Sequence, residues 1–261
     1  MPEFAKLTSP QIGALAEENA LCMVPIGQVE EHGLHLPTGA DTVIAEKTVL
    51  AAAEALHPDP PTVTLPAIWT GYSGAELANF PGTIRVRTRV VADLVLDVVL
   101  SLTDMGFTKI ILVNGHGHHP GILEMVAREV ADESGVYIAV MQVAKLGAEA
   151  VREHRQSAPG GCIHGGEFET SLMLHFGEPV DMDKATDRDV FRFDSEFFPR
   201  DGFTGSKAAF WSTWGIQKSE TGIYGDPTCA TAEFGRMVFE AMVGNLVAFA
   251  REYWGTPAVE W

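Results

Sequence analysis

The amino-acid sequence predicts a layered α/β domain, and three observations support this fold class. Short apolar runs alternate along the chain with segments of helical periodicity, which is the pattern of strands and helices packed in layers. The length of 261 residues lies near the upper limit for one domain, so we predict a single domain over 1–261. Hydrophobic residues make up 46% and charged residues 20%, which provides for a large interior and argues against disorder.

The predicted elements of the first half follow the apolar runs. Residues 21–26 (LCMVPI) indicate a buried strand, although Pro25 restricts it to a sheet edge or to the end of the strand. Helical periodicity predicts helices over 42–56, with Asp41 as the N-cap, and over 88–105, with Gly106 as the stop. Short strands are predicted over 63–65 and 83–86.

In the second half, residues 109–113 (KIILV) form the clearest strand pattern. A helix is predicted over 121–133, with Pro120 in a favourable first-turn position, followed by a strand over 137–142. Two further helices are predicted over 167–176 and 231–254. Residues 180–230 are irregular and rich in aromatic side chains, and a loop of this length usually serves as a lid or a subunit contact.

The composition argues against several classes of protein. A formal charge of −17, from 18 basic and 35 acidic side chains, disfavours binding to nucleic acid or to an anionic membrane surface. We see no signal-peptide pattern and no apolar stretch of membrane-spanning length. Cys22, Cys162 and Cys229 are odd in number and far apart, which predicts reduced, buried thiols and a cytoplasmic protein.

Three clusters of acids and imidazoles occur near the ends of predicted elements. Since ligands collect beyond the carboxyl ends of parallel strands, we expect the clusters to converge. Taken singly, Asp41 can be a helix cap and Glu167 a first-turn acid favoured by the helix dipole. The clusters are Glu30, His32, His35 and Asp41; His116, His118 and His119; and His164, Glu167 and Glu169.

The chemistry of these clusters indicates a metal site. Carboxylates and imidazoles without thiolates suit Zn²⁺, Mn²⁺ or Fe²⁺. The clusters offer more ligands than one ion needs, so we predict two ions roughly 3.5–4 Å apart, bridged by a carboxylate. Such a pair lowers the pKa of a bridging water toward neutrality and gives a hydroxide that can attack an amide or imine-like carbon.

The motifs in these segments resemble those of the creatininase (creatinine amidohydrolase) family. VPIGQVEEHGLHLPTGAD at 24–41 resembles the family pattern E-x-H-G-x-H-L-P followed by an Asp. NGHG at 114–117 and HGGEFETS at 164–171 resemble its central and third motifs, and FPGT at 80–83 and GIYGDPTCATAEFG at 222–235 also match. The resemblance implies a three-layer α/β/α fold with a mostly parallel sheet, a homohexamer and a two-metal hydrolytic centre.

The resemblance also implies ligands for two divalent ions, Zn²⁺ or Mn²⁺ with Fe²⁺ as a further option. Glu30 and His116 hold one ion, His32 holds the other, and Asp41 bridges them. The last ligand of the second ion is either Glu167 or His118, and we favour Glu167.

The remaining site residues are predicted to act on the substrate. His164 matches the family histidine that carries protons to the leaving nitrogen, and its near-neutral intrinsic pKa suits that role. Glu169 either orients His164 or is a helix-surface acid.

Other side chains are predicted to shape the substrate pocket. His118 and His119 stand where relatives carry small or amide groups, and Leu77 stands where relatives often carry a histidine, so the substrate can differ from creatinine. Trp211 and Trp214 either cover a small substrate or pack at a subunit interface.

We therefore predict a metal-dependent hydrolase that cleaves a C–N bond of a small, cyclic, creatinine-like amide. A related alternative is deformylation of a formamidopyrimidine or ring opening of a keto-inositol. An alternative of another class is a non-catalytic, oligomeric metal-binding protein. Nucleotide binding is disfavoured because NGHGHHPG matches neither GxGxxG nor GK[ST].

Overall fold

The computed structural model describes residues 2–205, 208–211 and 216–257. The strands are β1 Leu21–Ile26, β2 Thr62–Thr64, β3 Lys109–Asn114, β4 Ala139–Gln142, β5 Cys162–His164 and β6 Tyr224–Gly225. The α-helices are α1 Ser9–Glu17, α2 Ala40–Leu56, α3 Thr88–Asp104, α4 Pro120–Ser134, α5 Val143–Leu146, α6 Ala148–His154, α7 Glu167–His175 and α8 Ala232–Gly255.

A four-stranded parallel sheet with the order β2-β1-β3-β4 forms the centre of the fold. Every residue of β1 and β3 is buried, which explains the continuous apolar runs at 21–26 and 110–113 in place of alternating patterns. β1 lies inside the sheet rather than at an edge, and Pro25 is the next-to-last residue of the strand, opposite Val113. Pro25 thus lies at the end of its strand, which is one of the two locations predicted for it.

Alternate side chains of the central strands point to opposite faces of the sheet. Leu21 and Met23 of β1 pack with side chains of α2, α5, α6, α7 and α8 on one face. Cys22 and Val24 pack with side chains of α1, α3 and α4 on the other face. Helices therefore cover both faces, and the three-layer α/β/α fold class is confirmed.

A second, two-stranded sheet stands beside the first. β5 pairs antiparallel with β6, so that His164 lies opposite Tyr224. The parallel register of β1 and β3, with Ile26 opposite Asn114, brings the loops that follow both strands to one edge of the main sheet. This edge is where the polar clusters lie.

Two regions differ from the sequence prediction. Residues 83–86 do not form a strand, since they make only one isolated bridge, between Gly71 and Arg85, and the side chain of Ile84 is exposed. Helix α1 was not predicted, although Thr8 and Gln11 form a capping box at its start. Among the described residues, none of the helices has the length and apolar character needed to cross a bilayer.

Candidate metal centre

The loop after β1 is pressed against the start of α2. A Cβ at Gly27 would lie 2.3 Å from Cα of Thr42, so only glycine permits this approach. The hydroxyl of Thr42 donates to the carbonyl of Gln28 at 3.1 Å. Asp41 lies in the first turn of α2, whose N-cap is Gly39, so Asp41 is not the cap that the sequence predicted. These contacts bring Asp41 close to the polar residues of the loop.

The loop after β3 approaches the same point. The side-chain amide of Asn114 donates to the carbonyl of His116 at 2.6 Å, and its oxygen accepts the N–H of His116 at 3.2 Å. A Cβ at Gly115 would lie 2.4 Å from the carbonyl oxygen of Asp41. The turn that the sequence shows as Asn-Gly therefore positions the His116 ring against Asp41.

Three overlapping groups of side chains offer ligand atoms that lie within 4.8 Å of one another. Asp41 stands between two of them, because its Oδ1 is 3.3 Å from Nε2 of His32 and its Oδ2 is 2.7 Å from Nδ1 of His116. The groups are Glu30, His32 and His164; Glu30, His116 and His118; and His32, Asp41 and Glu169.

The donor set fits divalent cations. Both carboxylate oxygens of Glu30 and Nε2 of His32 are buried, and within the described part of the chain they have no hydrogen-bond partner. The Glu30 carboxylate has only longer contacts with the imidazoles of His116 and His164, at 3.5 and 3.3 Å, and coordination to a cation would supply the bonds that it lacks. Carboxylates and imidazoles without a thiolate match Zn²⁺ and Mn²⁺.

The charges of the cluster also favour a cation, because buried carboxylates surround the imidazoles. Burial opposes charge on His116, but Glu30 and Asp41 outweigh it and raise the pKa of His116 to about 9. Burial likewise works against ionised Asp41, yet His116 and His32 hold the pKa of its carboxyl well below the usual range. Without a cation, protonated imidazoles thus balance the buried carboxylates, and a divalent ion would replace those protons.

Glu167 is turned away from this cluster. Its carboxylate accepts the N–H of Gln156 at 2.8 Å, the N–H of Ser157 at 2.9 Å and the hydroxyl of Ser157 at 2.5 Å. These bonds hold the segment before β5 in place, so the position of Glu167 does not fit the ligand role predicted for it.

Glu169 occupies the position expected of the ligand. One oxygen of Glu169 accepts the N–H of Gly165 at 2.6 Å, and its carboxylate lies in the group with His32 and Asp41. Burial raises the pKa of Glu169, while His32 and His164 oppose this effect. A ligand role fits this position better than the orienting role predicted for Glu169.

The two extra histidines of the NGHGHH motif brace a loop. Nε2 of His119 accepts the N–H of Tyr72 at 3.1 Å, and its Nδ1 lies 3.2 Å from Oδ1 of Asn114. His119 is fully buried, and burial and His116 hold its pKa well below the usual value, so its contacts are those of a neutral ring that braces the loop.

His118 lies on the other side of the same loop. Its Nδ1 accepts the N–H of Gly74 at 3.2 Å, and its Nε2 is 3.1 Å from Oε1 of Glu76. His118 also belongs to the group with Glu30 and His116. His118 is therefore placed to serve the ion predicted for Glu30 and His116, and not the ion predicted for His32.

His164 is held by a residue that the sequence analysis passed over. Its Nε2 donates to the carbonyl of Glu31 at 2.7 Å and lies 3.4 Å from the Glu31 carboxylate. Its Nδ1 faces Oε1 of Glu30 at 3.3 Å. Burial and His32 lower the pKa of His164, but the hydrogen bond to Glu31 and the charges of Glu30 and Glu31 raise it overall. The sequence feature that could have identified Glu31 is the presence of an acid at the variable position of the E-x-H-G motif.

A cavity of about 290 Å³, which we call the Phe cavity, opens beside the cluster. His116 and Glu169 line it, so it reaches the candidate metal centre directly. Trp211 packs edge-on against Phe198 at a centroid distance of 6.5 Å and thus stands behind the wall, while Trp214 lies outside the described residues. The other lining residues include Gln142, Val143, Ala144, Lys145, Cys162, Ile163, Phe168, Phe198, Asp201, Gly202 and Phe203.

Cys162, although it lines the cavity, is a poor nucleophile. Its side chain is buried, and burial raises the pKa of the thiol to about 12. It is a free thiol, as are Cys22 and Cys229.

The family model described as creatininase, creatinine amidohydrolase, matches residues 5–250. The chain belongs to the creatininase family. The family resemblance expected from the motifs is thereby confirmed, and members of this family are hydrolases that act on C–N amide bonds. The chain is a metal-dependent hydrolase of the creatininase family.

Three curated relatives show the range of the family. The mycofactocin precursor peptide peptidase of Mycobacterium tuberculosis is 31% identical over 256 residues, covering 95% of this chain and 91% of the relative. The creatinine amidohydrolase of Pseudomonas putida is 24% identical over 253 residues, covering 91% of each chain. The 3-dehydro-scyllo-inosose hydrolase of Thermotoga maritima is 36% identical over 114 residues, covering 44% of this chain and 35% of the relative.

Solved structures support the fold. A crystal structure of creatinine amidohydrolase matches with a TM-score of 0.80 at 21% identity, covering 98% of each chain. A manganese form of creatininase matches with a TM-score of 0.78 at 22% identity, covering 97% of this chain and 99% of that one. Creatininases are thus known with manganese, and a zinc form matches equally well, with a TM-score of 0.80 at 22% identity over 97% of this chain and 98% of that one.

Proposed function

We propose that this member of the creatininase family hydrolyses an amide C–N bond at a centre of two divalent ions. The observation that carries the proposal is the position of Asp41, whose two oxygens face His32 and His116 in a buried cluster of acids. A bridging carboxylate between two imidazole-containing ligand sets is the arrangement that a two-metal hydrolase needs.

The ligand assignment follows from the groups of nearby atoms. Glu30, His116 and His118 would hold the first ion, and His32, Asp41 and Glu169 would hold the second. Asp41 also faces His116, so its carboxylate could serve both ions. This assignment replaces Glu167 by Glu169 and moves His118 to the first ion. Zn²⁺ or Mn²⁺ suits these ligands, and Fe²⁺ is chemically acceptable.

When bound, such ions lower the pKa of a coordinated water and polarise the substrate carbonyl. The protein itself supplies the proton for the leaving nitrogen. Because the Glu31 carbonyl can only accept a hydrogen bond, Nε2 of His164 carries a proton, and Nδ1 faces the cluster. The Nδ1 atom of His164 lies 3.3 Å from Oε1 of Glu30, on the side of the cluster, so this ring nitrogen is placed to pass a proton to the departing amine.

For the substrate, we favour an open-chain, peptide-type amide over the cyclic amide expected from the sequence. The relative that is 31% identical over 95% of this chain is a peptidase, and the Phe cavity provides room for a side chain beside the cluster. A creatinine-like cyclic amide is the second candidate, supported by the relative that is 24% identical over 91% of the chain. The predicted cytoplasmic location and homohexamer stay predictions.

The test is hydrolysis of short peptides and of creatinine by the purified protein, before and after complete removal of metal with a chelator. We expect peptide cleavage that is lost with the metal and restored by Zn²⁺ or Mn²⁺. Cleavage that survives complete metal removal would refute the proposal. Cleavage of creatinine alone would select the second candidate.

One matched pair of variants separates an enzyme from a metal-binding assembly protein. His164→Ala removes the proposed proton donor, whereas His154→Ala removes a half-exposed histidine of α6. We expect loss of turnover only in the first variant, with the metal content of both unchanged. If metal is lost together with turnover in His164→Ala, the histidine is a ligand and its proton-carrying role is wrong.

A further inference from the structure

The Phe cavity has a wall of aromatic side chains that are already in place. Phe168 and Phe203 are each 7% exposed, and their rings lie 5.2 Å apart between centroids at an angle of 55°. Phe198 is 9% exposed and packs against Phe193 as well as against Trp211. Because these rings are fixed by their neighbours, the cavity offers apolar surface without a large ordering cost.

The carboxylate of Asp201 in the lining is fully occupied by the protein. Its Oδ2 accepts from Arg155 at 2.7 Å and from the N–H of Gly160 at 2.8 Å. Its Oδ1 accepts the N–H groups of Phe203 and Thr204 and the hydroxyl of Thr204. Arg155 also neutralises the charge, so Asp201 is a poor partner for a cationic ligand.

The other charges of the lining lead to the same conclusion. Glu169 is a proposed metal ligand, and Lys145 contributes a positive charge at the rim, where it donates to the carbonyl of Gly202 at 3.0 Å. Among the described lining residues, this leaves no carboxylate to receive an ammonium group. An ammonium group in the cavity would lose its hydration without gaining a counter-ion.

We propose that the Phe cavity is a specificity subsite for an uncharged, apolar group next to the scissile amide, a role that rests on the proposed function. A phenyl or branched alkyl side chain is the group that fits this lining. A polyol is disfavoured, because its hydroxyls would lose water against Phe168, Phe198 and Phe203. The subsite therefore selects apolar peptide-type substrates against cationic and hydroxylated ones.

The first test measures binding without turnover. Benzyl alcohol, benzylamine and glycerol serve as probes, since they present a neutral ring, the same ring with an ammonium group, and a polyol. We expect the metal-loaded, full-length protein to bind benzyl alcohol at least ~10-fold more tightly than either of the others, as measured by ligand-detected NMR titration. Equal affinity for benzylamine or glycerol would overturn the proposal.

A matched pair of variants locates the binding site. Gly202 lines the cavity, its φ lies outside the left-handed region, and an added Cβ would meet only the carbonyl of Cys162 at 3.6 Å. Gly202→Leu therefore fills the cavity, while Gly244→Leu places the same side chain on an exposed position of α8 with nothing within 4 Å. We expect at least ~10-fold weaker binding of benzyl alcohol in the first variant and no change in the second.

Two further measurements keep the outcomes distinct. If Gly202→Leu proves unstable by thermal unfolding, Ala144→Leu fills the same cavity from α5. Binding of benzyl alcohol that withstands the filling variants would show that the probe binds elsewhere and would refute the subsite. Selective binding without any amide hydrolysis would refute only the proposed function, and hydrolysis that ignores the side chain would refute only the subsite.

Discussion

The two acids of helix α7 have different tasks in this account, and exchanging each for glutamine separates them. Glu167→Gln keeps the size of the side chain but turns one acceptor oxygen into an NH₂ group, which then faces the donors of Ser157. The change loses one charge-assisted hydrogen bond and leaves a buried donor without an acceptor. Together these effects cost about 3 kcal/mol, since each contributes roughly 1–3 kcal/mol.

The magnitude can be read in a thermal scan of protein treated with a chelator, so that bound metal does not contribute. A loss of about 3 kcal/mol lowers Tm by about 6 °C in a chain of this size. We expect this shift for Glu167→Gln, with metal content after reloading equal to that of the unmodified protein. For Glu169→Gln we expect the reverse, a small change in Tm and the loss of about one ion per chain.

Elemental analysis of the reloaded proteins completes the experiment. An unchanged Tm with loss of metal in Glu167→Gln would show that this acid is a ligand and that the hydrogen bonds to Gln156 and Ser157 are secondary. Full metal content in Glu169→Gln would contradict the ligand assignment independently. Either result would refute the reasoning from the orientation of α7.

Three further predictions test other parts of the structure. Burial opposes ionisation of Asp201, but Arg155 and backbone N–H groups hold the pKa of its carboxyl below the usual value. The stabilisation from this carboxylate is therefore present above about pH 5 and is lost as the pH falls further. The Tm difference between Asp201→Asn and the unmodified protein should shrink from pH 7 to pH 3, and a constant difference would contradict this. His164→Ala should lower kcat at least ~100-fold, as expected for loss of a general acid, and a smaller loss would rule that role out. Gly222 has a φ of +89°, and a Cβ at this position would lie 1.9 Å from Oε2 of Glu31. Gly222→Ala should therefore lower both Tm and kcat by displacing Glu31 from His164. Unchanged kinetics would argue against Glu31 as a positioning residue.

The sequence predicted the core strands and long helices closely, for a physical reason. Every residue of β1 and β3 is buried, so the apolar runs 21–26 and 110–113 mark the two strands without any alternation. Residues 83–86 show how the same approach fails. Their alternation is typical of a half-buried strand, but the N–H of Val86 donates to the carbonyl of Gly71 in a loop. Local alternation cannot identify a partner that is distant in the sequence.

In the candidate site, too, local sequence predicts some features, and tertiary packing determines the others. The motifs predicted that Glu30, His32, Asp41 and His116 converge, and these side chains do lie close together, because they follow strands whose ends meet. The sequence favoured Glu167 over His118 as the last ligand and gave Glu169 an orienting or helix-surface role. Residues two apart at a helix start point in directions about 200° apart, so only one of the two acids can face the cluster. Which of them faces the cluster depends on the rotation of α7 about its axis, and that is set by tertiary packing.

The contacts of the two histidines after His116 could not be predicted for a related reason. The ring of His119 is held by Tyr72, and that of His118 by Gly74 and Glu76, all from a loop more than 40 residues earlier in the chain. Nothing in the local sequence NGHGHH indicates this loop. The sequence therefore predicted substrate contacts for both imidazoles, with a metal-ligand role as an alternative for His118, and it could not show that both rings brace this loop.

The most direct test of the two-ion centre is a metal titration of the chelated protein, with elemental analysis of the saturated state. We expect about two Zn²⁺ or Mn²⁺ ions per chain, and weakened binding of both in Asp41→Ala, because Asp41 faces both ligand sets. Saturation at one ion per chain, or two ions bound as tightly in Asp41→Ala as in the unmodified protein, would contradict the account.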